Sequence, residues 1–226
     1  MNINIITAFP DSFDSVFSHS IIKRALDKKL AKIIIHDLRK WTTNTHKTID
    51  GSPYGGGAGM VLMIEPIHKA LNEIRRNLDR SKTLTIVTSA KGELYNQAKA
   101  KEFSTFENLI IICGHYEGID QRVIDHLADL EISVGKYVLT GGEIPAMIIT
   151  DTVVRLLPGV LGNEKSLEHE SFNEADKTEA PQYTRPAEFL TDDGELLKVP
   201  DVLLSGNHQK IEEWRKLNSV MPTSKN

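Results

Sequence analysis

Leu109-Ile110-Ile111-Ile112-Cys113-Gly114-His115-Tyr116-Glu117-Gly118 decides how the chain is read. Five apolar, mostly β-branched residues run without interruption into a polar loop bounded by glycines. An unbroken apolar run of this length is a strand buried on both faces, as in a parallel sheet covered by helices. Outward from it the same alternation recurs. Residues 2–8, Lys32 to Leu38, Leu84 to Thr88 and Leu130 to Val134 read as further buried strands. Helical spacing appears over Ser20 to Leu30, Pro66 to Leu78, 94–103, 119–128 and Gly142 to Leu157, which stops at Pro158-Gly159. The pattern predicts an α/β fold with a parallel sheet. Ligands of such sheets bind at the carboxyl ends of the strands. Here those ends carry Ser89-Ala90-Lys91-Gly92, Gly114 to Gly118, and Gly135-Lys136-Tyr137 onward.

The 226 residues suffice for one ample core, or one core and a small appended domain. A single cysteine, Cys113, excludes an intrachain disulfide. Met1-Asn2-Ile3-Asn4-Ile5-Ile6 lacks the basic start of a signal peptide, and no apolar run reaches membrane-spanning length. These features point to the cytoplasm. The net charge of −4 is unevenly spread: 161–195 holds ten acids and three bases, leaving 24 bases against 21 acids elsewhere. Binding of nucleic acid through local basic patches stays open, while a uniformly basic footprint does not exist. Residues 161–185 read as a mobile connection. Val199 to Leu204 and His208 to Leu217 follow as a small terminal unit, with Asn207 as a helix cap.

Three glycine-bearing segments could carry chemistry. Tyr54-Gly55-Gly56-Gly57-Ala58-Gly59-Met60 lets backbone approach a ligand closely, but no Gly-Lys-Ser/Thr follows it. On glycine count alone, a surface turn is slightly favoured. Gly114 to Arg122 fits a ligand pocket or an ordinary strand-to-helix turn about equally. Val134-Gly135-Lys136-Tyr137-Val138-Leu139-Thr140-Gly141-Gly142-Glu143 could offer backbone groups to an adenine or ribose edge, with Val134, Val138 and Leu139 holding the ring. Glu143 with Pro145 could equally be a helix start. The eight histidines show no zinc spacing, and Cys113 reads as a buried inert thiol.

Taken in order, seven segments resemble the signatures of one family. They are His46 to Asp50, Pro53 to Met60, Cys113 to Asp120, Gly135 to Glu143, Pro158 to Asn163, Tyr183-Thr184-Arg185-Pro186 and Leu203 to His208. The family is the bacterial tRNA (guanine-N1)-methyltransferase of the SPOUT class. The resemblance runs from residue 1 to about 217.

It implies a parallel-sheet SPOUT fold with a trefoil knot, which ordinary topology makes rare. It also implies a catalytic domain at 1–160, a flexible acidic linker at 161–182 and a small helical tRNA-binding domain at 183–226. Members are homodimers with active sites at the subunit interface. The implied reaction is methylation of N1 of guanosine 37 of tRNA, 3′ of the anticodon, by S-adenosylmethionine. The cofactor would be held by Thr88, Ser89, Ala90, Gly114, Tyr116, Glu117, Val134, Gly135, Lys136, Tyr137, Val138, Leu139, Gly141 and Gly142. The tRNA would be held by His46, Asp50, Tyr54, Gly55, Gly56, Gly57, Gly59, Arg185, Ser205, Asn207 and His208. The family base is an aspartate before a Ser-Phe pair; here Glu170 stands before Ser171-Phe172, with Glu168 as the fallback. Arg155 matches an arginine that faces the guanine. Other departures are Ala58 and Ala90 where prolines are usual, and Lys136 where an acid is typical. The resemblance further implies a dependence on Mg2+, for which the sequence offers no clear ligand set. An oxidoreductase lacks its fingerprint, since the first strand runs into Thr7-Ala8-Phe9-Pro10. A non-catalytic RNA-binding module has the change at Glu170 as its only support.

Overall fold

A computed structural model describes residues 1–162, 171–172 and 178–219. The chain divides into two units, Met1–Gly162 and Asn163–Asn226. Elements of the first unit follow in chain order: β1 (Asn2–Thr7), α1 (Asp14–Phe17), α2 (Ser20–Asp27), β2 (Lys32–Asp37), β3 (Asp50–Gly51), β4 (Val61–Leu62), α3 (Ile64–Arg75), β5 (Thr83–Leu94), α4 (Gln97–Phe103), β6 (Asn108–Cys113), α5 (Gln121–His126), β7 (Leu130–Ser133) and α6 (Glu143–Val154).

Five strands form one sheet in the order β2-β1-β6-β5-β7, and every pairing in it is parallel. The apolar run that opens the sequence reading is β6, buried along its whole length between β1 and β5. Successive side chains of a strand point to opposite faces, so each strand feeds two cores. Ile3, Ile5, Leu109, Ile111 and Ile86 pack with Phe103, Ala146, Ile149 and Val153 on one face. Ile6, Ile110, Ile112 and Val87 pack with Ile67, Ala70, Leu71 and Val123 on the other. Helices therefore cover both faces, as buried parallel strands require.

Two features depart from the sequence expectation. The strand β5, between β6 and the edge strand β7, continues to Leu94 instead of ending at Thr88. Its register against β7 shifts between Thr88 and Glu93, and its last residues run along Ile132 and Ser133. Gly92 makes this possible: a Cβ there would collide with the backbone of Glu131 and Ile132. The second unit contains an antiparallel hairpin, β8 (Glu188–Leu190) with β9 (Leu196–Lys198), in addition to α7 (Asp201–Leu204) and α8 (His208–Asn218). Asn207 caps α8 as its sequence suggests, its side chain accepting from the Lys210 amide at 3.1 Å.

Candidate active site

The carboxyl ends of β5, β6 and β7 and the loops that follow them enclose a cavity of about 280 Å³. Every residue expected to hold the cofactor lines it except Lys136. Glycine is what allows the three loops to meet. Gly142 lies so close to β5 and β6 that a Cβ would strike the Thr88 hydroxyl, the Gly114 nitrogen and the Cys113 Cα. In place of that side chain, the Gly142 amide donates to the Gly114 carbonyl at 2.6 Å. A Cβ on Gly114 would stand 2.7 Å from the Thr88 carbonyl. The wall facing the cavity is thus largely backbone, with polar N–H and C=O groups beside Val134, Val138 and Leu139. Such a surface suits a ligand with both a heteroaromatic ring and hydrogen-bonding edges.

The loop after β6 is strained at Tyr116, which holds φ at 58°. Left-handed backbone is costly for a bulky residue and persists where the surroundings over-determine it. Here the neighbours are the glycine-rich segment near residue 57. The Glu117 amide donates to Met60 O, and the Leu62 amide donates to Gly118 O, both at 3.0 Å. Gly59, at φ 83°, leaves the space that the Glu117 side chain fills. The glycine cluster is therefore tied to the cavity loop and is more than a surface turn. Gly55, Gly56 and Gly57 also take positive φ, and Tyr54 projects fully into solvent.

Sequence reasoning passed over a buried polar chain behind the cavity. The Phe9 amide donates to Thr7 Oγ1 at 2.9 Å, and Thr7 Oγ1 donates to Glu143 Oε1 at 2.7 Å. Glu143 Oε2 faces His115 Nδ1 at 3.7 Å. The His115 ring packs between Phe9, with centroids 4.5 Å apart, and Tyr116, at 4.7 Å. Its signal was Glu143 at the first residue of a helix, where a carboxylate is stabilised by the helix dipole. Nothing in the sequence said that Thr7 would lie beside it. Cys113 is buried, and that burial, together with the Glu143 charge, pushes its thiol well above the ordinary range. An inert thiol is the result.

Arg155 sits partly buried at the C-terminal end of α6, its amide bonded to Asp151 O. Glu170 and Glu168 lie outside the described residues. His46 is exposed in a turn before β3, and Asp50 lies in β3 paired with Leu62. In the second unit Arg185, Ser205, Asn207 and His208 are all exposed. There, Tyr183, Arg185, Trp214 and Arg215 line a groove, with the two aromatic rings edge to face at 6.3 Å. Among the described residues no group of three or more His, Cys, Asp or Glu side chains could hold a metal ion. None of the described helices is long and apolar enough to cross a membrane.

A family model described as tRNA (Guanine-1)-methyltransferase TrmD matches residues 1–226. The chain is similar to the tRNA (guanine-N(1)-)-methyltransferase of Clostridioides difficile (strain 630), at 47% identity over 223 residues, covering 99% of this chain and 94% of that protein. It is similar to the enzymes of the same name from Bacillus cereus (strain AH820) and Bacillus anthracis (strain A0248). Both are 48% identical over 223 residues, covering 99% of this chain and 88% of theirs.

Proposed function

The chain belongs to the tRNA (guanine-1)-methyltransferase TrmD family, and on that premise we propose that it methylates N1 of guanosine 37 in tRNA, 3′ of the anticodon. The observation that carries this reading is the cavity at the carboxyl ends of β5, β6 and β7, built by the same loops that match the family's motifs. Its wall fits S-adenosylmethionine, because Gly114, Gly141 and Gly142 let the loops meet with no side chain between them, leaving backbone N–H and C=O groups beside Val134, Val138 and Leu139. Bound there, the cofactor supplies an electrophilic methyl group on a sulfonium sulfur.

The protein's own residues supply the rest. Guanine N1 carries a proton at neutral pH, so a carboxylate must accept it as the N–C bond forms. Glu170 takes that role. As the proton leaves, charge moves toward O6, and Arg155 stabilises it with a fixed guanidinium. The products are N1-methylguanosine, S-adenosylhomocysteine and a proton on the carboxylate. The donor set offers no fit for Mg2+ among the described residues, and no step is assigned to it.

The wider assembly follows the family. The chain passing from β7 through 134–142 into α6 threads as a trefoil knot. This is supported by α6 packing back against β1 and β6 in the middle of the sheet, although β7 lies at the edge. Residues 161–182 act as a linker, and 183–226 form the small domain that grips tRNA. The groove between Tyr183, Trp214 and the two arginines there suits an unpaired base and its phosphate. Two copies form a homodimer in the cytoplasm, with each active site at the interface.

Mass spectrometry of nuclease-digested tRNA after incubation with protein and S-adenosylmethionine tests the reading. N1-methylguanosine in the anticodon-loop fragment is the expected product. Unmodified tRNA, or methyl at another nucleotide, would overturn it.

A further inference from the structure

His115 borders the cavity, yet its Nδ1 is buried without a hydrogen bond. A buried ring nitrogen left unsatisfied is costly. An acceptor faces it: Glu143 Oε2, at 3.7 Å. Glu143 cannot easily retreat, because its side chain is 9% exposed and Thr7 holds its other oxygen at 2.7 Å. The gap exceeds a hydrogen bond by roughly half an ångström. Gly141 keeps the approach free of a side chain: a Cβ there would collide with both Glu143 Oε2 and His115 Nδ1. His115 and Gly141 also face one another as an isolated antiparallel bridge, so the two loops are already registered.

The geometry points to His115 as a positioning residue for the cofactor, one that closes onto Glu143 when the cavity is filled. The inference rests on the cofactor reading above. His115 shares its loop with Tyr116, Glu117 and Gly118, which all border the cavity. A ligand pressing on that loop brings Nδ1–H within reach of Oε2. The bond formed then holds the loop over the ligand. Glu143 is anchored through Thr7 to the end of β1, so the first strand serves as the fixed post. Phe9 and Tyr116 flank the imidazole and restrict its rotation. His115 touches no reacting atom in this scheme. It acts through the loop it fixes.

Binding of S-adenosylhomocysteine, measured by calorimetry on the full chain, separates the two readings. Failure of the unsubstituted protein to bind would remove the cofactor reading and this inference with it. Given binding, His115→Ala is expected to raise the cofactor KM roughly ten- to a hundredfold, the range of one hydrogen bond to a charged group. The kcat at saturating cofactor should change by less than about threefold, because only ground-state positioning is lost. His115→Asn, whose amide nitrogen falls near the imidazole Nδ1, should recover most of the affinity. In protein labelled with 15N-histidine, a slowly exchanging Nδ1–H signal should appear on adding S-adenosylhomocysteine and be missing in Glu143→Gln. Affinity of His115→Ala within twofold of the unsubstituted protein would overturn the inference. So would a ring signal indifferent to ligand, or no rescue by asparagine.

Discussion

Arg155 caps the C-terminal end of α6 on the element that also carries Glu143 at its start. If it stabilises the charge that develops at O6, its loss is felt in the transition state and not in cofactor binding. Arg155→Ala is expected to lower kcat by about 10²–10³-fold, the usual effect of deleting one such donor. Calorimetry with S-adenosylhomocysteine should show unchanged affinity; a collapse of binding would make the arginine structural. Gly142 poses the opposite case. The atoms a new methyl would meet are the Thr88 hydroxyl, the Gly114 nitrogen and the Cys113 Cα, and the last two are backbone that cannot swing aside. Gly142→Ala should therefore cost about 1–3 kcal/mol of stability, as overpacking does, and abolish cofactor binding. Urea denaturation and calorimetry check both halves, and a variant that binds normally would mean the loops part more easily than their contacts imply.

At the scale of elements, β5 and α6 are joined by one clasp. Tyr95, just past the end of β5, shares a 2.6 Å hydrogen bond between its hydroxyl and Thr152 Oγ1 on α6. Burial pushes the Tyr95 hydroxyl up to about 12, against the smaller downward pull of the bond to Thr152. In the unfolded chain a tyrosine ionises near ~10. The clasp's contribution is thus complete below pH ~10 and falls away as pH rises toward about 12. Tyr95→Phe is expected to lose about 1 kcal/mol at pH 7, with the gap to the unsubstituted protein narrowing above pH ~10. Denaturation curves at pH 7 and pH 11 would show it, and a constant gap would mean the hydroxyl titrates normally. This clasp marks what sequence could convey. The apolar runs at 2–7, 108–113 and 130–133 are legible because strands buried on both faces need no polar alternation. The extension of β5 through Lys91-Gly92-Glu93 is not, since its residues look like a loop and pair only because β7 accepts them. The β8–β9 hairpin is equally silent: two three-residue strands with every side chain exposed leave no period to read. The glycine loops of the cavity are visible as composition. The Thr7–Glu143–His115 chain, whose Thr7–Glu143 bond joins residues 136 apart in sequence, exists only once the strands are laid side by side.

For the whole molecule, the open question is what covers the rim of the cavity. Tyr137, Val138, Ile144 and Ile148 lie on the loop before α6 and on its outer face, and they are exposed by 55%, 87%, 51% and 37%. Residues of this kind clustered beside a ligand site form an apolar patch that water solvates poorly. A second copy of the chain is the occupant in the homodimer proposed above, and a stable interface of that sort buries about 1,200–2,000 Å². The rest of α6 cannot be the contact, because Ala146, Ile149 and Val153 already fill the core. A dimer formed through the exposed side of α6 would place each cavity rim against its partner, and dissociation would then open both sites at once. The protein is accordingly expected to sediment as a dimer. Ile144→Asp combined with Ile148→Asp should convert it to a folded monomer, since two charges on an outward face spare the core while desolvating them at an interface is prohibitive. Methyl transfer should fall with the dimer fraction as the protein is diluted, while circular dichroism of the monomeric variant stays native-like. A double variant that remains dimeric and active would place the subunit contact on some other surface and leave this rim to the tRNA.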